Sequence, residues 1–414
     1  MKKNQIIVFF FFLAAPSSLF AGEFHLTTTS LGQVRENAGG QNEIPVSGYL
    51  GLEAANTPQN LRGAANVRFF RDFDRKLDDQ DLYQAAVYFK PSDVFKIDSG
   101  RQLINQGFSL EILDGVQTTF GPFGFVDFAL YSGIPRSVEV GDFNKNDGLL
   151  SGLSINLKNV ARTSGAVHAA WRKNDMEQTN WRQNDEIYVG ADFSHQFPIA
   201  TEPMFYGTFE YDALWNAVNL GTAGIDLYPA RRLAINLEGS YSNISRQTDR
   251  LTIQRVFTDG RTWGGRAAVT WTLIPKFLDL VKSYAYHNVE AQGNNPRRGH
   301  GIDAALQISF EKIGLFLEPA YYFSKSLGGD LHGVRGLIHE QFTPKFFADL
   351  AADFTTYDKI TNDNDSAIGT GGWIGYEAAA GLTISGGFEY NRNNVFIRET
   401  RGSFRIDYHF DHEG

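Results

Sequence analysis

The sequence predicts an all-β protein, a single transmembrane antiparallel β-barrel of about 18–22 strands. Apolar and polar residues alternate along almost the whole chain, and the connections between the alternating segments are of two distinct lengths. The composition agrees, because the 414 residues include 34 Phe, 17 Tyr and 42 Gly but no Cys. Such a barrel has aromatic girdles at both membrane interfaces, and its closed hydrogen-bond ladder stabilises an exported protein without disulfides.

The N-terminal segment predicts export. Residues 1–21 begin with Lys2 and Lys3, continue with an apolar run and end in small residues at Ala21, the layout of a secretory signal peptide. The apolar run of about ten residues is half the length of a membrane-spanning helix. We therefore expect cleavage after Ala21 and a barrel formed by residues 22–414.

The last strand illustrates the alternation. Its two faces are Phe404, Ile406, Tyr408 and Phe410 on one side and Ser403, Arg405, Asp407 and His409 on the other. A soluble sheet and a transmembrane barrel both produce this period of two. Repetition in segments of about nine to eleven residues, the length of a tilted transmembrane strand, favours the barrel. The aromatic end of this strand resembles the signal read by the outer-membrane barrel insertion machinery, which we expect as a partner.

The connections support a barrel that crosses the outer membrane. Short turns occur at Gly121-Pro122, 228–231, 311–314 and 343–345, whereas long polar loops occur at 135–147, 174–185, 243–263, 288–300 and 357–366. In such barrels the short turns are periplasmic and the long loops external, so an even number of strands must separate any two long loops. We predict seven strands before the first loop, then two, four, two and four, and three at the end, 22 in all.

The alternation also predicts which charges face the lumen. The inward acids are Asp98, Asp127, Asp192, Glu210, Asp212, Glu238, Asp303, Glu318, Asp349, Asp353, Glu389 and Asp407. The inward bases are Arg68, Lys96, Arg172, Arg232, Arg266, Arg335 and Arg405. These charges either pair across strands in the barrel wall or create a selectivity field. The acidic excess predicts weak cation preference, or little preference.

Catalytic and cofactor chemistry is not indicated. No Gly-x-Ser-x-Gly or His-Glu-x-x-His sequence is present, and the neighbours Ser194 and His195 point to opposite faces of a strand. The stretch Asp142–Gly148 resembles a calcium loop but has Asp147 where the EF-hand pattern needs Gly. With 47 acidic and 38 basic residues, the chain offers no basic patch for nucleic acid. We expect no enzyme activity, no metal and no cofactor.

Residues 95–120 carry a more specific resemblance. Gly100-Arg101-Gln102 and, in the following strand, Asp114-Gly115-Val116 resemble the corresponding residues of outer-membrane porins of the alginate-export type. That resemblance implies a monomeric, wide barrel for passive passage of a polar solute, with arginines such as Arg101 attracting a polyanion. Arg101 is an even number of residues from Phe95 and Ile97, so in a regular strand all three side chains lie on the same face. A bulge is needed to bring Arg101 to the inward face. The acidic excess argues against a polyanion.

These observations together predict an outer-membrane porin of a Gram-negative bacterium that passes small or oligomeric hydrophilic solutes by passive diffusion. Its expected partners are outer-membrane lipid, lipopolysaccharide and the solute. A structural or adhesive barrel with a blocked lumen is the alternative, and loop 243–263 either constricts the pore or lies at the surface. The oligomeric state stays open. The predicted pore-lining residues are Arg68, Lys96, Asp98, Arg101, Asp127, Arg172, Asp192, Glu210, Arg266, Glu318, Arg335, Arg405 and Asp407.

Overall fold

The structure is a computed structural model, and it describes residues 23–36, 41–56, 60–106, 109–136, 148–173, 185–199, 201–243, 261–290, 297–326, 329–358, 366–393 and 399–412. The predicted signal peptide, most of the five predicted long loops and the stretch Asp142–Asp147 lie outside these residues. None of the described residues belongs to a helix that is long and apolar enough to cross a membrane.

Twenty-two long strands form the wall. They are β1 (Phe24–Glu36), β2 (Pro45–Asn56), β3 (Leu61–Asp72), β4 (Leu77–Ser92), β5 (Phe95–Gln106), β6 (Ser109–Phe123), β7 (Val126–Arg136), β8 (Leu149–Val160), β9 (Thr163–Lys173), β10 (Asp185–Gln196), β11 (Met204–Asp212), β12 (Ala217–Ala230), β13 (Leu233–Asn243), β14 (Arg261–Ile274), β15 (Leu278–Val289), β16 (Arg297–Phe310), β17 (Leu315–Ser326), β18 (Gly329–Thr343), β19 (Phe346–Tyr357), β20 (Ser366–Ala379), β21 (Leu382–Arg392) and β22 (Glu399–His412). A two-residue bridge, Asn42–Glu43, pairs with the end of β1.

The strands close into one antiparallel barrel. Each strand pairs with its neighbours in sequence, and β1 pairs with β22 over a register that runs from Phe24 opposite His412 to Arg35 opposite Arg401. Closure leaves no open sheet edge, which a membrane-spanning sheet requires because lipid cannot satisfy backbone hydrogen bonds. The predicted fold and the order of seven, two, four, two, four and three strands around the long loops are therefore confirmed.

The outer face is apolar and carries aromatic residues near both ends. Leu350 and Ile374, with exposed fractions of 56% and 58%, point away from the barrel. Trp263 and Trp271 lie on the same face of β14, and eight residues at about 3.4 Å each separate them by about 27 Å along the tilted strand. With the strand tilt of about 35–45° that is usual in such barrels, this corresponds to a height of about 20 Å, somewhat less than the apolar band of about 25 Å between aromatic girdles.

The wall bends tightly where β5, β6 and β7 meet. Gly100, Gly115 and Gly133 lie opposite one another on the inward face of these strands. A Cβ atom on Gly133 would lie 2.5 Å from the carbonyl oxygen of Asp114, and one on Gly115 would clash with the carbonyl oxygen of Ser132. The backbones can approach this closely only because glycine has no side chain.

An apolar cluster lies on the inward face beside this bend. Ile104, Leu113, Tyr131 and Leu150 pack together on β5–β8, with exposed fractions from 0% to 6%. Small local radius on the concave side crowds the inward side chains and shields them from water. This part of the wall is therefore packed like a protein core rather than like the lining of a wide channel.

Candidate functional site

The inward face of the barrel wall is the candidate functional site. Paired residues of antiparallel strands share a face, and the register can be followed around the barrel from the exposed apolar residues. It places the following predicted residues opposite the apolar outer face: Arg68, Lys96, Asp98, Asp127, Arg172, Asp192, Glu210, Arg266, Glu318, Arg335, Arg405 and Asp407. Their contribution to selectivity stays a prediction.

Arg101 differs from this set. It lies opposite Ala85 and Asp114 on the face that carries Ile97, which is the outer face of the tight bend. Its Nε and Nη2 donate to the two carboxylate oxygens of Asp114 at 2.5 and 2.6 Å, and its Nη1 donates to the carbonyl oxygen of Leu82 at 3.0 Å. The prediction that Arg101 lines the pore is therefore not supported by the register.

The partners of Arg101 explain its sequence context. Arg136 of β7 also donates to Asp114, at 2.8 Å, so one carboxylate joins three strands across the outside of the bend. Gly100 and Gly115, next to Arg101 and Asp114, permit the close approach on the inside. The Gly-Arg-Gln and Asp-Gly-Val motifs thus meet as a structural element. The sequence singled out Asp114 as a motif residue but predicted neither its contact with Arg101 nor the part of Arg136, because only the register brings these residues together.

We call the inward face of β3–β9 the tight sector. Its carboxylates are buried and already paired: Arg68 contacts Asp81 at 2.6 Å, and Lys96 contacts Asp98 at 2.7 Å. The side chains of Asp81 and Asp98 expose only 11% and 6% of their surface. Asp127 accepts a hydrogen bond from Asn156 at 2.6 Å and also contacts a lysine. We therefore expect these contacts to stabilise the wall more than they contribute to an electrostatic field that acts on solutes.

We call the inward face of β16–β22 the open sector. Arg335, with 40% of its side chain exposed, lies 3.6 Å from both Asp303 and Glu318. Arg405 contacts Asp407 at 2.7 Å, and these side chains are 51% and 32% exposed. Arg335, Arg405 and Asp407 are exposed on this face, and ion pairs of exposed side chains are weak and exchange partners readily.

Between the sectors, an acidic arc extends over β11–β13. Asn219 donates to Glu210 at 2.9 Å, Asn236 donates to Asp226 at 2.8 Å, and Tyr206 donates to Glu238 at 3.0 Å. Within the described residues these three carboxylates have no salt bridge, and Arg266, opposite Glu238 in register, makes none with it. Neutral donors hold the carboxylates in place without cancelling their charge.

Sequence reasoning had included Glu210 and Glu238 among the inward acids but missed Asp226. Its signal in the sequence is its position between the apolar residues Ile225 and Leu227, which face the opposite side of the strand. The uncharged donors Tyr206, Asn219 and Asn236 carry no signal in the sequence, because their role depends on the cross-strand register.

A polar recess adjoins the acidic arc. It has a volume of about 670 Å³ and opens on the inward face of β6–β11. Its lining includes Gln117, Ser154, Asn156, His168, Asp192, Ser194 and Thr208. Hydroxyl, amide and carboxylate groups in such a recess can exchange hydrogen bonds with a hydrophilic solute.

Comparison with solved structures identifies the fold. The translocation pore of the P pilus usher (PapC) is similar over 93% of this chain and 99% of that one, with a TM-score of 0.52 and 10% identity. OccK2 (OpdF) of Pseudomonas aeruginosa covers 95% and 98% with a TM-score of 0.49 and 10% identity, and OpdK of the same organism covers 94% and 99% with a TM-score of 0.47 and 9% identity. No protein-family model and no curated protein matches the sequence.

The closed barrel, its apolar outer band and its charged inner wall define the class of protein. The chain is an outer-membrane β-barrel with a porin-like channel fold, located in the outer membrane of a Gram-negative bacterium. A barrel whose outer face is covered mainly by large exposed apolar side chains is stable in a hydrocarbon environment.

Proposed function

We propose that the barrel is a porin for passive diffusion of hydrophilic solutes, with a weak preference for cationic ones. The observation that carries this proposal is the acidic arc, in which Glu210, Asp226 and Glu238 are held by neutral donors and by no base among the described residues. A ring or arc of carboxylates facing a water-filled lumen raises the local concentration of cations.

Single-channel recording in planar bilayers tests the proposal. The protein is refolded without residues 1–21, and the reversal potential is measured in a salt gradient. We expect stable conductance steps with weak cation preference, and the triple variant E210Q/D226N/E238Q should lose most of that preference while keeping its conductance. Anion preference of the unmodified protein, or an unchanged reversal potential in the variant, would contradict the proposed role of the arc.

A barrel with a blocked lumen, serving a structural or adhesive role, is the second candidate. The buried apolar cluster of Ile104, Leu113, Tyr131 and Leu150 favours it, because these inward residues are shielded from lumen water. A correctly folded barrel that conducts no ions in the same experiment would support this candidate over the porin.

Membership of the alginate-export type remains a narrower proposal. It rests on the motif residues of β5 and β6, which pair with each other as Gly100 with Gly115 and Arg101 with Asp114. The same pairing occupies Arg101, so we do not extend the proposal to polyanion attraction. Measuring transport of a uronic-acid oligomer beside a neutral oligomer of equal length tests it: selective passage of the charged oligomer would favour the alginate-export type.

The remaining parts of the proposal concern what the barrel needs. We propose that it acts without a cofactor and without catalysis, and that the barrel insertion machinery reads β22, whose outward residues include Phe404, Tyr408 and Phe410. Truncation of β22 from Ser403 onward tests the last point, since it removes both the signal and the strand that closes on β1.

A further inference from the structure

A groove crosses the lipid-facing surface of β11–β15. Its floor consists of small residues that lie opposite one another on three successive strands: Ala223, Gly239 and Gly265. Two adjoining hollows of about 760 and 600 Å³ share Ala223 and Gly239 and form one continuous depression. At a strand spacing of about 4.8 Å, three strands make a floor about 10 Å across.

Large apolar side chains wall the groove on both sides. Phe209, Tyr241 and Trp263 lie one step towards the loop end, and Phe205 and Leu237 lie one step towards the turn end. Trp263 and Leu237 expose 44% and 42% of their surface on the outside of the barrel. The groove therefore offers hydrocarbon-lined walls within the depth of the membrane.

Basic residues stand at the loop end of the groove. Arg261 lines the larger hollow, the one of about 760 Å³. It is two residues beyond Trp263, about 7 Å along the strand. Arg298 of β16 lies opposite Asn288 on the same outer face. Both arginines are exposed and have no salt bridge to any described residue, although Glu290 lies beside Arg261. Their depth corresponds to the headgroup region of the outer leaflet.

Asn288 adds an independent observation at this rim. It lies between Trp263 and Arg298 in register, it is only 7% exposed, and its Oδ1 has no hydrogen-bond partner in the described part of the chain. A buried polar group without a partner costs free energy. A hydroxyl or amide N–H of a lipid headgroup seated at the rim would donate to this oxygen and satisfy it.

We propose that this groove binds a phosphorylated lipid of the outer leaflet, lipopolysaccharide, with an acyl chain lying over Gly239 and a phosphate held by Arg261 and Arg298. The chain carries a net charge of −9, so two unpaired arginines above an apolar groove form a local exception that suits an anionic headgroup. A second barrel in the same place would bury these arginines without supplying an obvious anion.

The first test fills the groove. The full mature protein is purified in detergent, and binding of diphosphorylated lipid A is measured by native mass spectrometry. A Cβ on Gly239 would have no neighbour closer than 4.0 Å, and one on Gly336, on the outer face far from the groove, would have none within 4 Å. G239L should therefore fold and bind about ten-fold more weakly, whereas G336L should bind like the unmodified protein. Equal binding by G239L would overturn the proposal.

The second test separates the headgroup from the chain. R261Q/R298Q should weaken binding of diphosphorylated lipid A about ten-fold but leave dephosphorylated lipid A unaffected. K282Q, which removes an exposed lipid-facing charge nearer the turn end, should change neither. Equal loss for both lipids, or an equal effect of K282Q, would overturn the assignment. A dimer in the mass spectrum of the unmodified protein that is absent from that of G239L would also overturn it, because the groove would then be an interface between two copies. A heat-dependent gel shift checks folding of each variant.

Discussion

The tight and open sectors use the same residue types in different ways. In the tight sector, Asp81 and Asp98 are almost fully buried by a wall that bends at a row of glycines. In the open sector, Arg335 and Arg405 expose about half of their side chains to the lumen. An ion pair is worth little in water but is costly to break when it is buried. Burial in the wall therefore separates the charges that stabilise the barrel from those that we expect to act on solutes.

The largest expected effect comes from removing the bend. G115V would place a branched side chain against the carbonyl oxygen of Ser132, and such overpacking costs about 3 kcal/mol or more. We expect the variant not to form a folded barrel, as measured by the heat-dependent gel shift. G336V, at an outward position where a Cβ meets nothing within 4 Å, is the matched control and should fold. A folded G115V barrel of normal stability would show that the bend is not needed.

A smaller effect is expected from removing one arginine in each setting. Arg101 at the bend has 12% of its side chain exposed, whereas Arg405 in the open sector has 51% exposed. R101A should lower the free energy of unfolding by about 3 kcal/mol, because it leaves Asp114 with less compensation. R405A should lower it by less than about 1 kcal/mol. Urea unfolding of the refolded barrel measures both, and equal losses would remove the distinction between the two environments.

The smallest effect concerns ion selectivity. R335Q removes the base that lies between Asp303 and Glu318 in the open sector, so the reversal potential should shift towards stronger cation preference. R68Q removes a base from the tight sector, where Asp81 is buried, and its main consequence should be lower stability. If R68Q shifts the reversal potential as much as R335Q does, the tight sector also contributes to the field felt by solutes.

Much of the wall was predictable from the sequence. The period of two in segments such as 403–410 reports which residues face lipid, because lipid favours apolar side chains over most of a strand face. Loop lengths alternate because the two ends of the barrel meet different compartments, which is why the strand order around the five long loops was also predictable. The same alternation along each strand places Arg335 and Asp407 on the inward face.

The outcome for Arg101 shows the limit of this reasoning. A motif of six residues resembled part of a porin pore, but the strand register turns Arg101 to the outer face and pairs it with Asp114. Neither the register nor the approach of Gly115 to Gly133 is encoded in a local pattern. Both depend on residues that are distant along the chain and adjacent only after the strands have paired.

By itself, the sequence determined that the chain is a transmembrane barrel of about 18–22 strands and, for most strands, which face meets water, because the periodicity records the solvent on either side. Only the tertiary structure decided where the wall bends, which charges are neutralised by a partner, and that Glu210, Asp226 and Glu238 form one arc held by neutral donors. These properties depend on distances between strands, and the electrostatic value of a charge changes with its burial and its nearest partner.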